Sequence, residues 1–191
     1  MSELHRLLDW LFRKSDPSFT WVADPSAKME VNLDEHSLCG VRIGDAVGGI
    51  AKLGPPENLR PHTHGQFVYG DRGFVLDTED GRVVGFIVTF DDHDGVAATG
   101  PFSGDVCFGQ RRVNVPKSMP RNAWQEIFGE PYWCDEDEDE YILFYEFDRI
   151  EWQVEISKAE GVRCIIVQTP PLFEDPKQRQ SYGMDKPWPP R

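Results

Sequence analysis

Between Trp133 and Tyr141 the chain reads "CDEDEDE", which sets six consecutive carboxylates, Asp135, Glu136, Asp137, Glu138, Asp139 and Glu140, between aromatic residues. Such a run attracts cations and basic partners. A calcium loop needs acids at alternating positions and a glycine to turn the chain, and this run contains no glycine. A solvated loop and a docking element for a basic protein are the readings that remain, and no built metal site is expected. Further on, "RIEWQVEIS" alternates Trp152, Val154 and Ile156 with Glu151, Gln153 and Glu155. A strand with that period buries one face and shows Glu151 and Glu155 on the other. Run and strand face then form one acidic surface, with Tyr132, Trp133 and Tyr141 beside it. Aromatics next to acids suit a binding hot spot, although each one taken singly is more commonly core.

The histidines offer different chemistry. "RPHTHGQF" puts His62 and His64 at alternate positions, on one side of an extended chain. Zinc needs a third ligand, and His93, with Asp91, Asp92 and Asp94 in "FDDHDG", is the cluster that could supply it. That is the alternative of a metal-dependent hydrolase; loop histidines at the surface are the plainer reading. Cys39, Cys107, Cys134 and Cys164 are scattered without C-x-x-C spacing and read as idle thiols. No G-x-S-x-G elbow is present, and "GDAVGGIAKLG" lacks the order of a phosphate cradle. No catalytic residue and no cofactor is therefore expected, and binding is favoured over catalysis. A structural subunit of a larger complex is a third possibility.

Charge narrows the partners. The 191 residues carry a net charge of −13, and between positions 130 and 160 twelve acids face only Arg149 and Lys158. That field repels nucleic acid and anionic membranes and favours a basic protein. No run approaches the roughly 18 apolar residues of a membrane span. Glu3, His5, Arg6 and Asp9 interrupt the opening apolar stretch, so no secretion leader is read there and a cytoplasmic location is expected.

The elements that must position these groups follow from periodicity. Leu4, Leu7, Leu8 and Leu11, behind Ser2, predict an amphipathic helix, and "FTWVAD" a short extended segment. An internal repeat then emerges. "VNLDEHSLCGVRIGDAVGGIAKLGPP" and "VCFGQRRVNVPKSMPRNAWQEIFGEP" align at a shift of 75: Val31 meets Val106, Leu38 meets Val113, Leu53-Gly54 meets Phe128-Gly129, and Pro56 meets Pro131. Each copy predicts two short strands and a helix closed by Gly, then three strands rich in β-branched and aromatic residues. In the second helix Met119, Ala123, Ile127 and Phe128 form the apolar stripe. The second copy is longer where "CDEDEDE" lies, so the run is predicted to be an inserted connection between helix and sheet.

The pattern "MPRNAWQEIFGEP" followed by aromatic strands resembles the repeat of the beta-lactamase inhibitor protein and of the outer-membrane assembly lipoproteins, where Gly-x-Pro closes a helix before an antiparallel sheet. "VNLDEHSL" and "VCFGQRRV" also resemble hairpins of small cytosolic domains of unknown function. The resemblance implies an α+β fold: two tandem copies of helix plus antiparallel meander, helices on one sheet face, side by side in one extended sheet or packed edge to edge. The resemblance itself says little about activity; an inhibitor- or immunity-type binding role is expected from that analogy taken together with the acidic charge. The expected organisation is 1–28 helix and connection, 29–92 first repeat, 93–104 linker, 105–169 second repeat, and 170–191 a Pro-rich extended tail pinned by Phe173, Tyr182 and Trp188.

Overall fold

The structure is a computed structural model that describes residues 16–91 and 100–190. The predicted N-terminal helix and His93, with Asp92 and Asp94, lie outside the described residues. Within them the chain is α+β, with two sheets and few helices. The smaller sheet contains β1 (Glu30–Asn32), β2 (Ser37–Leu38), β3 (Val41–Arg42), β7 (Asp105–Phe108) and β8 (Arg111–Val113), in the order β3-β2-β1-β7-β8. Its central pair, β1 and β7, is parallel and sets Val31 opposite Val106. The larger sheet is built from β4 (Gln66–Tyr69), β5 (Phe74–Glu79), β6 (Arg82–Thr89), β9 (Trp133–Glu136), β10 (Glu140–Phe147), β11 (Ile150–Ser157) and β12 (Gly161–Gln168). Two antiparallel stretches, β4-β5-β6 and β12-β11-β10-β9, join where β6 pairs with β12.

Central strands need apolar residues on both faces, and β6 and β12 have them. Phe86 and Val88 lie opposite Val167 and Ile165 and are fully buried on one face, while Ile87 and Ile166 pair on the other. The first face packs on the smaller sheet, so that Val31, Leu38, Val106, Phe86, Val88 and Trp152 belong to one continuous core. The 3-10 segment Val47–Leu53 and helix α2 (Arg121–Phe128) fill the same layer, after the four-residue α1 (Pro61–His64). Trp124, fully buried, stacks on Phe128 at 4.0 Å and anchors α2. The helix predicted in the first copy is thus a 3-10 turn. Gly48 and Gly49 give it low helical propensity, and Val41 lies 3.0 Å from where a Cβ at Gly49 would stand. "FTWVAD" also differs from expectation: Pro17–Thr20 is a 3-10 turn, and extended backbone resumes at Trp21.

Trp152 links the sheets. Its indole N–H donates to His36 Nδ1 at 2.9 Å, in the β1–β2 turn, and its ring meets Phe108 on β7. Burial holds the His36 imidazole below its usual value, against the opposing charge of Asp34, and the neutral ring so favoured is the form that accepts the indole proton. The sign follows. A histidine with a depressed folded value binds fewer protons than the unfolded chain, so its stabilising contribution falls as pH drops through the ordinary histidine range. The expected result is a melting temperature that declines more steeply between pH 7 and 5 in the native protein than in His36→Gln, measured by circular dichroism.

Candidate functional site

The acidic run is the tip of the β9–β10 hairpin at the sheet edge. Asp135 and Glu136 end β9, Asp137 to Asp139 turn, and Glu140 opens β10. The predicted inserted connection is corrected accordingly: Asp135 pairs with Ile142 and Glu136 with Tyr141, so the flanking acids are drawn into strands. The Asp137 carboxylate accepts the N–H groups of Asp139 and Glu140, each at 2.8 Å, and these bonds hold its pKa below the usual carboxylate range. The neighbouring β11–β12 tip supplies Lys158, Ala159 and Glu160. Lys158 Nζ donates to Glu136 Oε1 at 2.9 Å and to the Asp137 carbonyl at 2.6 Å. That ammonium keeps the Glu136 carboxyl below its ordinary value. Arg163 pairs with Glu140 at 3.1 Å. Tyr141 is clamped between the Arg121 guanidinium at 4.8 Å and Lys158 Nζ at 4.7 Å, an arrangement favoured by the negative ring face. Around the open groove between the tips, Glu138, Asp139 and Glu160 are exposed.

The second part of the predicted acidic surface is not exposed. Glu151 is 0% exposed, because the chain after β12 folds back over that sheet face. Its carboxylate accepts Gln153 Nε2 at 2.5 Å, Gln168 Nε2 at 3.1 Å and the Leu172 backbone N–H at 3.2 Å. Glu155 and Asp135 stand on the same face and are half-buried, as is Trp133. The tail is docked rather than extended: it forms the 3-10 turn Leu172–Glu174 and α3 (Pro176–Ser181). Phe173 is 0% exposed against Phe144, as its predicted pinning role requires.

His62 and His64 fall in α1, not on an extended chain, so residues two apart do not share a face. His62 Nδ1 lies 2.8 Å from Asp16 Oδ1, and its ring meets Trp21 and Phe67 edge-on. Asp16 also accepts the Ser18 N–H at 3.0 Å and the Ser18 hydroxyl at 2.7 Å. Burial opposes its ionisation, but the bonds from Ser18 and His62 outweigh it and hold the carboxyl low. Serine, histidine and aspartate are thus joined through the carboxylate, with the serine proton directed at Asp16 and not at the imidazole. That arrangement fastens residues 16–21 to α1; it does not activate a nucleophile. Among the described residues no three His, Cys, Asp or Glu side chains cluster as metal ligands. The four thiols are free, and burial pushes each one up in pKa.

One pair was missed in the sequence. Glu146 and Glu151 are direct cross-strand partners on the covered face. The pair stands one position outside Phe147 and Ile150, which flank the Asp148-Arg149 turn, and it is the tail that covers its face. No helix among the described residues is long and apolar enough to cross a membrane.

No protein-family model matches the chain, and no curated protein does. Among solved structures, it is similar to a crystal structure of a DUF4309 family protein, YjgB, from Bacillus subtilis subsp. subtilis str. 168. The identity is 15% and the TM-score 0.43, over 69% of this chain and 84% of that one.

Proposed function

We propose that this chain is a non-enzymatic, cytoplasmic binding module whose paired acidic hairpin tips engage a basic protein. The observation that supports it is the division of labour among the acids. Glu136 and Glu140 are neutralised by Lys158 and Arg163. Glu138, Asp139 and Glu160 instead face solvent around one groove, with no ion-pair partner among the described residues. An acidic groove of this kind steers a basic partner and suits an inhibitor or immunity-type role, in which carboxylates occupy a phosphate-binding cleft. Glu151 drops out of the proposed contact set, and Glu155 and Asp135 move to its margin.

The architecture fits a duplicated unit, and we read it as two such units. Val31 lies opposite Val106 in the parallel pair. Gly54 and Gly129 both close their helical segments at positive φ, +82° and +86°. Tyr69 donates its hydroxyl to the Gly54 carbonyl, and Tyr145 does the same to Gly129, each at 2.9 Å. The two readings stand apart: a duplicated fold does not require that both copies bind.

The test is capture of proteins from the host lysate by the native chain and by a Glu138→Gln, Asp139→Asn, Glu160→Gln variant, at low and high salt. The variant is expected to hold a basic partner about tenfold more weakly, and salt to weaken the native complex by a similar factor. Equal capture by both proteins, indifferent to salt, would remove the acidic groove from the interface.

A further inference from the structure

The outer face of β10 and β11 holds two carboxyl groups in one dry site. Glu146 and Glu151 stand directly opposite each other. Glu151 uses its oxygens to accept three N–H groups, one of them the backbone of Leu172 in the tail. Neither carboxyl oxygen of Glu146 is open to solvent, and neither meets a donor among the described residues. Two buried carboxylates side by side repel; one carboxylic acid and one carboxylate share a proton. Burial first, then the hydrogen bond to Glu151 and its charge, push the Glu146 carboxyl up to about 9.

The tail closes this site. Phe173 and Tyr182 both pack on Phe144, with ring centroids at 4.5 and 5.3 Å. Lys186 Nζ donates to the Tyr132 carbonyl at 2.7 Å, and the Tyr132 hydroxyl donates to the Pro187 carbonyl. The other charged or titratable groups nearby are Arg179 on α3 and Tyr182 directly after it, Tyr132 before β9, and Glu155 and Asp135 on the sheet. Arg179 spends its guanidinium on the carbonyls of Phe173 and Glu174. No hydrogen bond or ion pair links it to Glu146, so the proton is what neutralises that carboxyl.

We propose that the segment 170–190 is a proton-gated strap: its docking requires the proton that Glu146 and Glu151 share, and rising pH releases it. With the strap lifted, Glu146 is solvated and ionises in the ordinary glutamate range. The docked form therefore binds one more proton than the open form between that range and about pH 9. Across this window the open population grows by up to tenfold per pH unit, and above it the dependence ends.

Limited trypsin digestion of the full chain reads the open population through cleavage after Lys177 and Arg179, which lie in the strap and are each followed by glutamine. The comparison is with Glu146→Gln, whose neutral amide keeps a hydrogen-bond donor toward Glu151 and cannot ionise; the ratio of the two rates cancels the protease's own pH profile. The native-to-variant ratio is expected to climb by up to tenfold per unit from pH 6 and to level off once Glu146 ionises in the docked form. A ratio independent of pH overturns the proposal. Should the variant not fold, the carboxyl carbon shift of Glu146 in the native chain decides. A titration step well above the usual glutamate range supports the strap, and a step within that range overturns it.

Discussion

Trp152→Ala is expected to lower the free energy of unfolding by about 4 kcal/mol, within the range for deleting a fully buried large aromatic. Trp152 is 1% exposed and touches Tyr145 and Phe147 within its own sheet and Phe108 across the core. The alanine variant leaves a cavity where the two sheets meet and leaves His36 Nδ1 without its donor. Trp152→Phe separates these effects. It keeps most of the apolar contact and loses the indole N–H, so it should cost only about 1–3 kcal/mol, the price of an unsatisfied buried acceptor. Urea unfolding followed by circular dichroism measures both. A loss under about 1 kcal/mol for the alanine variant would mean that the sheets are not joined through this side chain.

The second large effect is expected at Gly161. It opens β12 at φ +96°, a region in which a side chain is strained, and a Cβ there would lie 2.3 Å from the Lys117 carbonyl oxygen and 2.7 Å from the Ser118 carbonyl carbon. The obstacle is backbone from the segment that leads into α2, so no rotamer change relieves it. Gly161→Ala should lose about 4 kcal/mol, combining roughly 1–3 for the conformation with 1–3 for overpacking. The chain contains its own control. Gly81 occupies the matching turn before β6 at φ +73°, and a Cβ there meets nothing within 4 Å. Gly81→Ala should therefore lose only about 1–2 kcal/mol, the cost of the left-handed conformation alone. Equal losses at the two sites, read from urea midpoints, would show that the contact with residues 117–119 does not matter.

Much of the sheet was legible because strands announce themselves by composition. "RVVGFIVT" and "VRCIIVQ" are apolar on both faces, as the two central strands of the larger sheet must be. The glycines closing the helical segments were legible too, since a positive φ at Gly54 and Gly129 needs the residue type that stands there. The burial of Glu151 was not. Its alternation with Trp152 and Ile156 correctly placed it on the opposite face, but alternation says nothing of what lies over that face, and the covering segment is distant in sequence and poor in aliphatics. Phe173, Tyr182 and Trp188 were the signal for docking; the carboxylate that accepts the Leu172 N–H had none. The histidines were misplaced for a local reason: proline at position 61 starts a helical turn, which converts an alternate pair into residues on different faces.

The parallel β1–β7 pair has a consequence for the route by which the chain folds. Strands β4-β5-β6 and β10-β11-β12 are runs of neighbouring hairpins and can close locally. Val31 and Val106, by contrast, must find each other across 75 residues before the smaller sheet has a centre. Long-range parallel pairing pays its loop-closure entropy before it returns any contact energy. The hairpins of both sheets are therefore expected to form early, and the two long-range pairings, β1 with β7 and β6 with β12, late. Trp152, buried only when that sheet has closed over it, is a natural reporter of the final step.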